Sequence, residues 1–536
     1  MSLGKTPTQV DAFRSSTGFC GERLSPTSIC GLLHRESHRL FPDEAFADLF
    51  CEIGRWSVPP RIVAVVMILQ RLEGLSDREA VDRFSFDLRW KYAAGGLDFD
   101  HPGFVHTVLV DMRARLRRST HPDRVFDRAL EVARSAGLVG RKRVLDSTAL
   151  YDAVATQDTV TLIRSAIRAL LRLCDETLAA ELRTGLLRDD DYVAAGKPDC
   201  DWDDAQAREA LVDALARDAH AVIARLDERK LVPELSQAAA LLATVVGQDL
   251  EQREDGVFRI ARRVGKDRVI STVDPEARHG HKTSARGFDG YKGHIAIDPD
   301  SEIVVATEVT PGNASDGSAA GALLHDMLQV AKSESATQSL VPSETTTHTP
   351  LRAEAYGDAS YGTAEIVEKL EAAGIEANVK VQAPSAPEGC FAKDEFSVDL
   401  DSETVTCPAG KLVVIRRADD GGGFASFGNT CATCPLRKRC TDAKRGRTIR
   451  IHPREATLKR IRQRQSSPTW KQLYRAIRPK VERKIAHLMF RRHGGRRARV
   501  RGRLRIGHDF AFLAAAQNLR RLATLGVRYE GARWVN

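Results

Sequence analysis

The stretch that most restricts how this 536-residue chain can fold is residues 141–150, RKRVLDSTAL. Three basic residues run into Val144 and Leu145, and the apolar pair then gives way to Asp146, Ser147 and Thr148. Such a run reads as a buried strand that delivers a carboxylate to its end. The form returns at residues 352–362, RAEAYGDASYG, with Asp358 at a strand end and turn chemistry at Gly362. A third acid, Glu482 in VERKIAHLMF, falls just inside a helix. The rest of the chain reads as built to bring these three acids together.

Helical patterns come first. WSVPPRIVAVVMILQRLEGL predicts a helix opening after Pro59–Pro60 and closing near Gly74. Ser76 and Glu79 have the spacing of a capping box that opens a second helix, DREAVDRFSFDLRWKYAAGG. A third lies in PGFVHTVLVDMRARLRR, and a fourth over 123–137 leads into the Asp146 strand. Short helices with tight glycine turns permit a helix-turn-helix arrangement as well as a plain bundle. Residues 158–255 read as a helical insertion, whose acidic loop (Asp189, Asp190, Asp191) reads as an exposed turn. Runs at 290–297 and 303–309 flank Pro299–Asp300 as a β-hairpin. A helix at 317–330, a Ser/Thr-rich surface loop at 331–350, the Asp358 strand, the helix TAEIVEKLEAAG and the strand EANVKVQ follow.

That order (strand, hairpin, helix, strand, helix, strand) is that of an RNase H-like core in an α/β chain, interrupted once by helices. The organisation expected is a helical N-terminal domain over 1–140, with DNA contact as one reading; the first core strand over 141–157; the helical insertion over 158–255; and the RNase H-like core over 256–388. A cysteine-containing insertion over 389–465 comes next. Residues 466–536 hold the glutamate helix, an Arg-rich segment and a C-terminal helix.

The apolar runs at 62–69 and 511–516 are too short to cross a bilayer, and the N-terminus lacks the apolar region of a secretory signal. A protein that neither spans a membrane nor is exported is expected. Ten cysteines without export imply reduced thiols or metal ligands. Cys431 and Cys434 form a C-x-x-C that Cys407 and Cys440 could complete as a tetrahedral thiolate set for structural Zn²⁺; a metal-free or redox-sensitive cluster is the other reading. The charge is concentrated late: residues 441–506 carry 23 Lys/Arg against 3 Asp/Glu, while the whole chain nets +9. A basic run of that density is the footprint of a polyanion partner, and its preference for arginine suits bidentate phosphate contacts.

Two Mg²⁺ ions (or Mn²⁺) ~4 Å apart can activate an attacking oxygen and stabilise a leaving one on a phosphodiester. They take hard oxygen ligands and few protein carboxylates, which Asp146, Asp358 and Glu482 would supply as catalytic and metal-binding residues. Tyr474, Arg478 and Lys484 could hold phosphates nearby, with Arg491, Arg492, Arg496, Arg497, Arg499, Arg501 and Arg503 binding DNA. Arg286, Tyr291, Lys292 and His294 could face the site or solvent; Asn313 and Asp316 read as turn residues. Trp470 reads as a packing residue, with base stacking as the alternative.

Taken together, VLDST, DPEARHGHKT with GYKGHIAID, VTPGNASDG, AYGDASYG, CPAG with CATCPLRKRC, and RPKVERKIAH resemble a DDE transposase of bacterial insertion sequences, in the branch with a cysteine-rich block before the glutamate helix. The resemblance implies that Asp146, Asp358 and Glu482 are the metal-binding carboxylates. Its Tyr-x-x-Arg-x-x-x-Glu-x-x-x-x-x-x-Lys pattern is matched at Arg478 and Glu482. Tyr474 stands one residue too far from Arg478, and Met489 occupies the lysine position. The function implied is Mg²⁺-dependent cleavage and strand transfer at terminal inverted repeats, with double-stranded transposon-end and target DNA as partners and a homodimer or higher synaptic assembly. An RNase H-like nuclease without joining, and an inactive transposase-derived DNA-binding protein, are the alternatives.

Overall fold

The computed structural model describes residues 1–536 apart from 6–12, 14, 155, 190–191, 195, 228, 263–264, 266, 284–285 and 339–351. Six strands make the central sheet: β1 (Lys142–Tyr151), β2 (Arg278–Thr283), β3 (Arg286–Ile297), β4 (Val304–Pro311), β5 (Glu354–Gly357) and β6 (Glu376–Val379). They run in the order β2-β3-β1-β5-β6, and β4 pairs with a second stretch of β3. β3 and β4 form the expected antiparallel hairpin, from Tyr291↔Pro311 to Ile297↔Val304. β1 is antiparallel to β3 and parallel to β5, and β5 is parallel to β6. Val144, Leu145, Ala355 and Val379 are fully buried, as expected where helices cover both faces of a parallel sheet.

The helices that position the site are α1 (Pro60–Glu73), α2 (Asp77–Phe86), α3 (Thr107–Arg118), α4 (Pro468–Ile477), α5 (Pro479–Leu488) and α6 (Arg503–Thr524). α1 starts on Pro60 and stops at Gly74, whose φ of 69° is left-handed. From Pro60 to Leu72 every residue but Arg61 is buried. A helix buried on nearly every side belongs inside a core, and α1 lies between the N-terminal helices and α6, which also packs on β4. The Ser76–Glu79 capping box is present. The single helix expected over 77–96 is two: Asp87 leaves helical geometry and its carboxylate accepts from the Arg89 N–H, starting a new helix at Leu88–Ala93. That competition of an aspartate with the helix ladder is characteristic of the residue.

One hydrophobic cluster includes Val65 of α1, Leu109 of α3, the sheet and Leu513 of α6, so the N-terminal helices do not enclose a core of their own. The insertion does. Its helices Thr159–Leu173, Ala205–Leu226 and Pro233–Asp249 pack around Ile163, Leu215 and Leu242. Asp189 of its acidic loop is exposed; Asp190 and Asp191 lie outside the described residues. The cysteine-containing region builds a third cluster around Phe391, Phe396 and Phe427. It holds six strands of two to four residues in two small sheets, too short for an alternating pattern to register in the sequence. The helix expected at 317–330 is a 3-10 turn (Asp316–Ala319), a helical turn (Ala320–Leu323) and a helix, His325–Gln338. It runs past the expected start of the Ser/Thr-rich loop, whose positions 339–350 lie outside the described residues. No helix among the described residues is long and apolar enough to cross a membrane.

Candidate active site

Strand register sets the first two acids. Val144 of β1 pairs with Tyr356 of β5 in parallel, so two residues on along each strand Asp146 and Asp358 come level. Asp146 is not at the end of its strand, as its sequence suggests, but in the middle: β1 continues to Tyr151 against β3. Only its β5 flank stops there, because β5 ends at Gly357. The opening left beside Asp146 is what Asp358 enters. The third acid comes from α5, which packs against β1.

Arg478 ties the three together. Its guanidinium lies 2.9 Å and 3.1 Å from the two Asp146 oxygens, 3.7 Å from Asp358 Oδ2 and 3.9 Å from Glu482 Oε1. Since Asp146 and Asp358 share one guanidinium nitrogen, their oxygens are no further apart than those two distances combined. The Arg478 side chain is 9% exposed, against 13% for Asp146, 38% for Asp358 and 62% for Glu482. A residue before proline is normally driven out of helical geometry, yet Arg478 keeps φ −56° and ψ −40°. Its N–H reaches the Tyr474 carbonyl at 2.9 Å, while Pro479 takes the first helical position, where no N–H is needed. Arg478 and Glu482 therefore fall on one face and form an i,i+4 pair.

The electrostatics follow from this crowding. Burial, with Asp146 and Asp316 nearby, raises the Asp358 carboxyl above its usual value, and Arg478 opposes the rise. Burial works against the Arg478 charge, but Asp146 and its neighbours hold the guanidinium's pKa above normal. Asp316, read from sequence as a turn residue, is a fourth acid of this neighbourhood. It is 7% exposed, accepts from the Ser147 hydroxyl at 2.6 Å and pairs with Lys292 at 2.7 Å. Through Ser147 it braces the residue next to Asp146. The signal was the SDG at the end of the hairpin, which looks the same whether or not it makes a turn only. His294 is fully buried between the Tyr361 hydroxyl and Thr310 Oγ1, each at 2.8 Å, and burial lowers its pKa to about 4. Lys292 and His294 thus lie on the Ser147 face of the sheet, against Asp316 and Tyr361. Tyr291 donates to Asp274 at 2.6 Å, while Arg286 is exposed. Asn313 donates to Asp267 at 3.0 Å.

The residues expected to touch DNA divide into two groups. Arg491, Arg492, Arg496, Arg497, Arg499, Arg501 and Arg503 are all exposed; Arg492 pairs with Glu73 at 3.5 Å and Arg503 with Glu308 at 3.8 Å. The other three are occupied within the protein. Tyr474 donates to the Gly357 carbonyl at 3.1 Å and stacks on Trp470, ring centres 4.7 Å apart. Trp470 is itself 9% exposed, a packing residue. Arg478 is held by the acids. Lys484, expected to hold phosphate, is 3% exposed. It lies on the inner face of α5, where burial lowers its pKa to about 8 and Glu302 opposes the shift.

Carboxylate oxygens are the donors that Mg²⁺ and Mn²⁺ take, so the chemistry of Asp146, Asp358 and Glu482 fits such an ion, and Arg478 already stands among them as a cation. Cys407, Cys431, Cys434 and Cys440 line one cavity of about 20 Å³, all as free thiols, and burial with the neighbouring thiols raises the Cys440 pKa. As these side chains stand, no group of three or more His, Cys, Asp or Glu among the described residues is spaced to hold a metal ion.

Two family models match the chain. One, described as Transposase DDE domain, covers residues 406–523, a span that includes Cys407, Cys431, Cys434 and Cys440 as well as Arg478, Glu482 and the arginine run. The other, described as Transposase domain (DUF772), covers residues 31–115, which include α1, α2 and most of α3. No curated protein matches, and no solved structure matches.

Proposed function

Because the chain belongs to the DDE transposases of insertion-sequence type, we propose that it binds the terminal inverted repeats of its element, cuts each end and joins it to target DNA, with Asp146, Asp358 and Glu482 as the catalytic carboxylates. The observation that carries this reading is the convergence of three acids from three separate elements within 4.0 Å of one guanidinium. The order and directions of β4, β3, β1, β5 and β6 support an RNase H-like core, in which the Asp146 and Asp358 strands lie side by side.

Asp146, Asp358 and Glu482 would hold Mg²⁺ or Mn²⁺, which supplies the charge that polarises a phosphodiester and acidifies the attacking oxygen. The chain's own residues do the rest. Asp316 and Lys292 fix Ser147, and with it the backbone at Asp146. The Tyr474 hydroxyl fixes the Gly357 carbonyl just before Asp358. Arg478 balances the clustered negative charge. The exposed arginines from Arg491 to Arg503 grip the DNA backbone, and pairing of two ends calls for at least a homodimer. A strand-transfer assay of Asp146→Ala, Asp358→Ala and Glu482→Ala tests the assignment: each should lose both cleavage and joining. Wild-type rates in any one would remove that residue from the site.

Separately, Cys407, Cys431, Cys434 and Cys440 share one cavity, and we propose that a shift of their side chains would let four thiolates hold one structural Zn²⁺ ion. Elemental analysis of the purified chain should find about one zinc per chain, lost in Cys434→Ser; absence of zinc from the wild type refutes it.

A further inference from the structure

A cavity of about 310 Å³ opens where α1 and α3 meet the segment leading into α6. Arg71 comes from α1, Arg113 and Arg117 from α3, and Arg499 and Arg505 from the C-terminal side; only two aspartates, Asp77 and Asp509, line the same space. Each aspartate is already paired: Asp509 lies 3.1 Å from Arg71, and Asp77 2.5 Å from Arg113. Arg499 donates to the Leu75 carbonyl at 2.7 Å. Arg117 and Arg505 have no ion pair among the described residues, and Arg117 is held below its usual pKa by burial and then by the Arg505 and Arg113 guanidiniums. Arg71 is 4% exposed, and its Nε has no hydrogen-bond partner.

Positive charges in excess of their partners, one with an unpaired buried N–H, are costly in a protein with nothing bound. An anion with several acceptor oxygens resolves both problems at once, since guanidiniums bind phosphate with paired N–H donors. We propose that this cavity is a phosphate-binding site at the joint between the N-terminal helices and α6. It takes one phosphate group, from the backbone of bound DNA or from a free phosphate anion. The DNA source rests on the transposase reading; the pocket itself does not.

The test uses the full chain without divalent cations, so neither catalysis nor the three acids enter the readout. Inorganic phosphate, against chloride at equal ionic strength, should raise the Tm saturably. In Arg117→Gln/Arg505→Gln, which leaves both internal ion pairs intact, the response should need at least about tenfold more phosphate, as expected when two charge-assisted donors are removed. The salt dependence of duplex binding then separates the sources. If DNA supplies the phosphate, the double variant lowers the log–log slope by about 0.9 for each DNA phosphate no longer neutralised; if free phosphate does, the slope stays the same. Either slope, together with a weakened phosphate response, supports the site. A wild type whose Tm ignores phosphate, or a double variant that responds as the wild type does, overturns it. Asp146→Ala, whatever its starting Tm, should show the wild-type phosphate response, so failure of the catalytic assignment reads separately.

Discussion

Arg478→Gln is the most informative single change, because it withdraws the one cation shared by three carboxylates. Its two close approaches to Asp146, at 2.9 and 3.1 Å, join side chains only 9% and 13% exposed. Stripping one partner from such a buried pair costs about 3–5 kcal/mol. Asp358 and Glu482 are wetter, at 38% and 62% exposed, so water takes over part of the charge balance and the low end, about 3 kcal/mol, is expected. Asp146→Asn also gives up the bidentate pairing but relieves repulsion on Asp358, and should cost about 1–2 kcal/mol. In the Asp146→Asn background the further loss from Arg478→Gln should shrink to about 1 kcal/mol, a coupling of about 2 kcal/mol. Urea unfolding of the four chains at pH 7 without divalent cations measures it. The variant lacking Arg478 should then gain more stability from added Mg²⁺ than the wild type does, since binding to the folded state alone stabilises it. Additive losses to within about 0.5 kcal/mol, or equal Mg²⁺ gains, would refute the view that Arg478 balances the acidic cluster.

Other residues give independent checks. His294 is neutral when folded, with a pKa near 4 where the unfolded chain's is the ordinary 6.5; the unfolded state therefore binds the extra proton first. Its share of stability is complete above pH 6.5 and is lost as the pH falls toward 4, by up to about 3 kcal/mol, and His294→Gln should flatten that part of a stability–pH profile. Lys484 is buried, with its pKa lowered to about 8, so Lys484→Met should hold or raise the Tm at pH 7 and leave duplex affinity unchanged; a large loss of affinity would return Lys484 to the DNA-binding surface. At Gly362 a Cβ would come within 1.9 Å of the Lys380 carbonyl oxygen, backbone that cannot step aside, so Gly362→Ala should cost about 2–3 kcal/mol in the same urea assay.

The parts of the fold legible in the sequence are those written locally. VLDST and AYGDASYG announce buried strands leading into acids, Pro60 and Gly74 bracket α1, and Ser76 with Glu79 caps α2. Legibility fails where a distant partner decides. Nothing near Asp146 says that β1 runs on to Tyr151, because that depends on pairing with β3. Pro479 argues locally against helix at Arg478, yet the residue stays helical and its side chain reaches three carboxylates from three separate elements. Lys484 resembles any surface lysine until Glu302 and α6 are set over it. Asp316 has the local chemistry of a turn, and its partners Ser147 and Lys292 are 169 and 24 residues away in the chain.

The shared core of α1 and α6 has a consequence for how the molecule comes into being. Residues 60–73 leave the ribosome long before residues 503–524 exist, and until then a helix that ends up buried on nearly every side has no finished nest. Its early companions can shield it only in part, so nascent chains should remain open to proteolysis around α1 until α6 has emerged. Stalled chains ending before and after α6 would display the change as a sharp gain in protection. A complete core would then wait on α6, on a chain still attached to the ribosome.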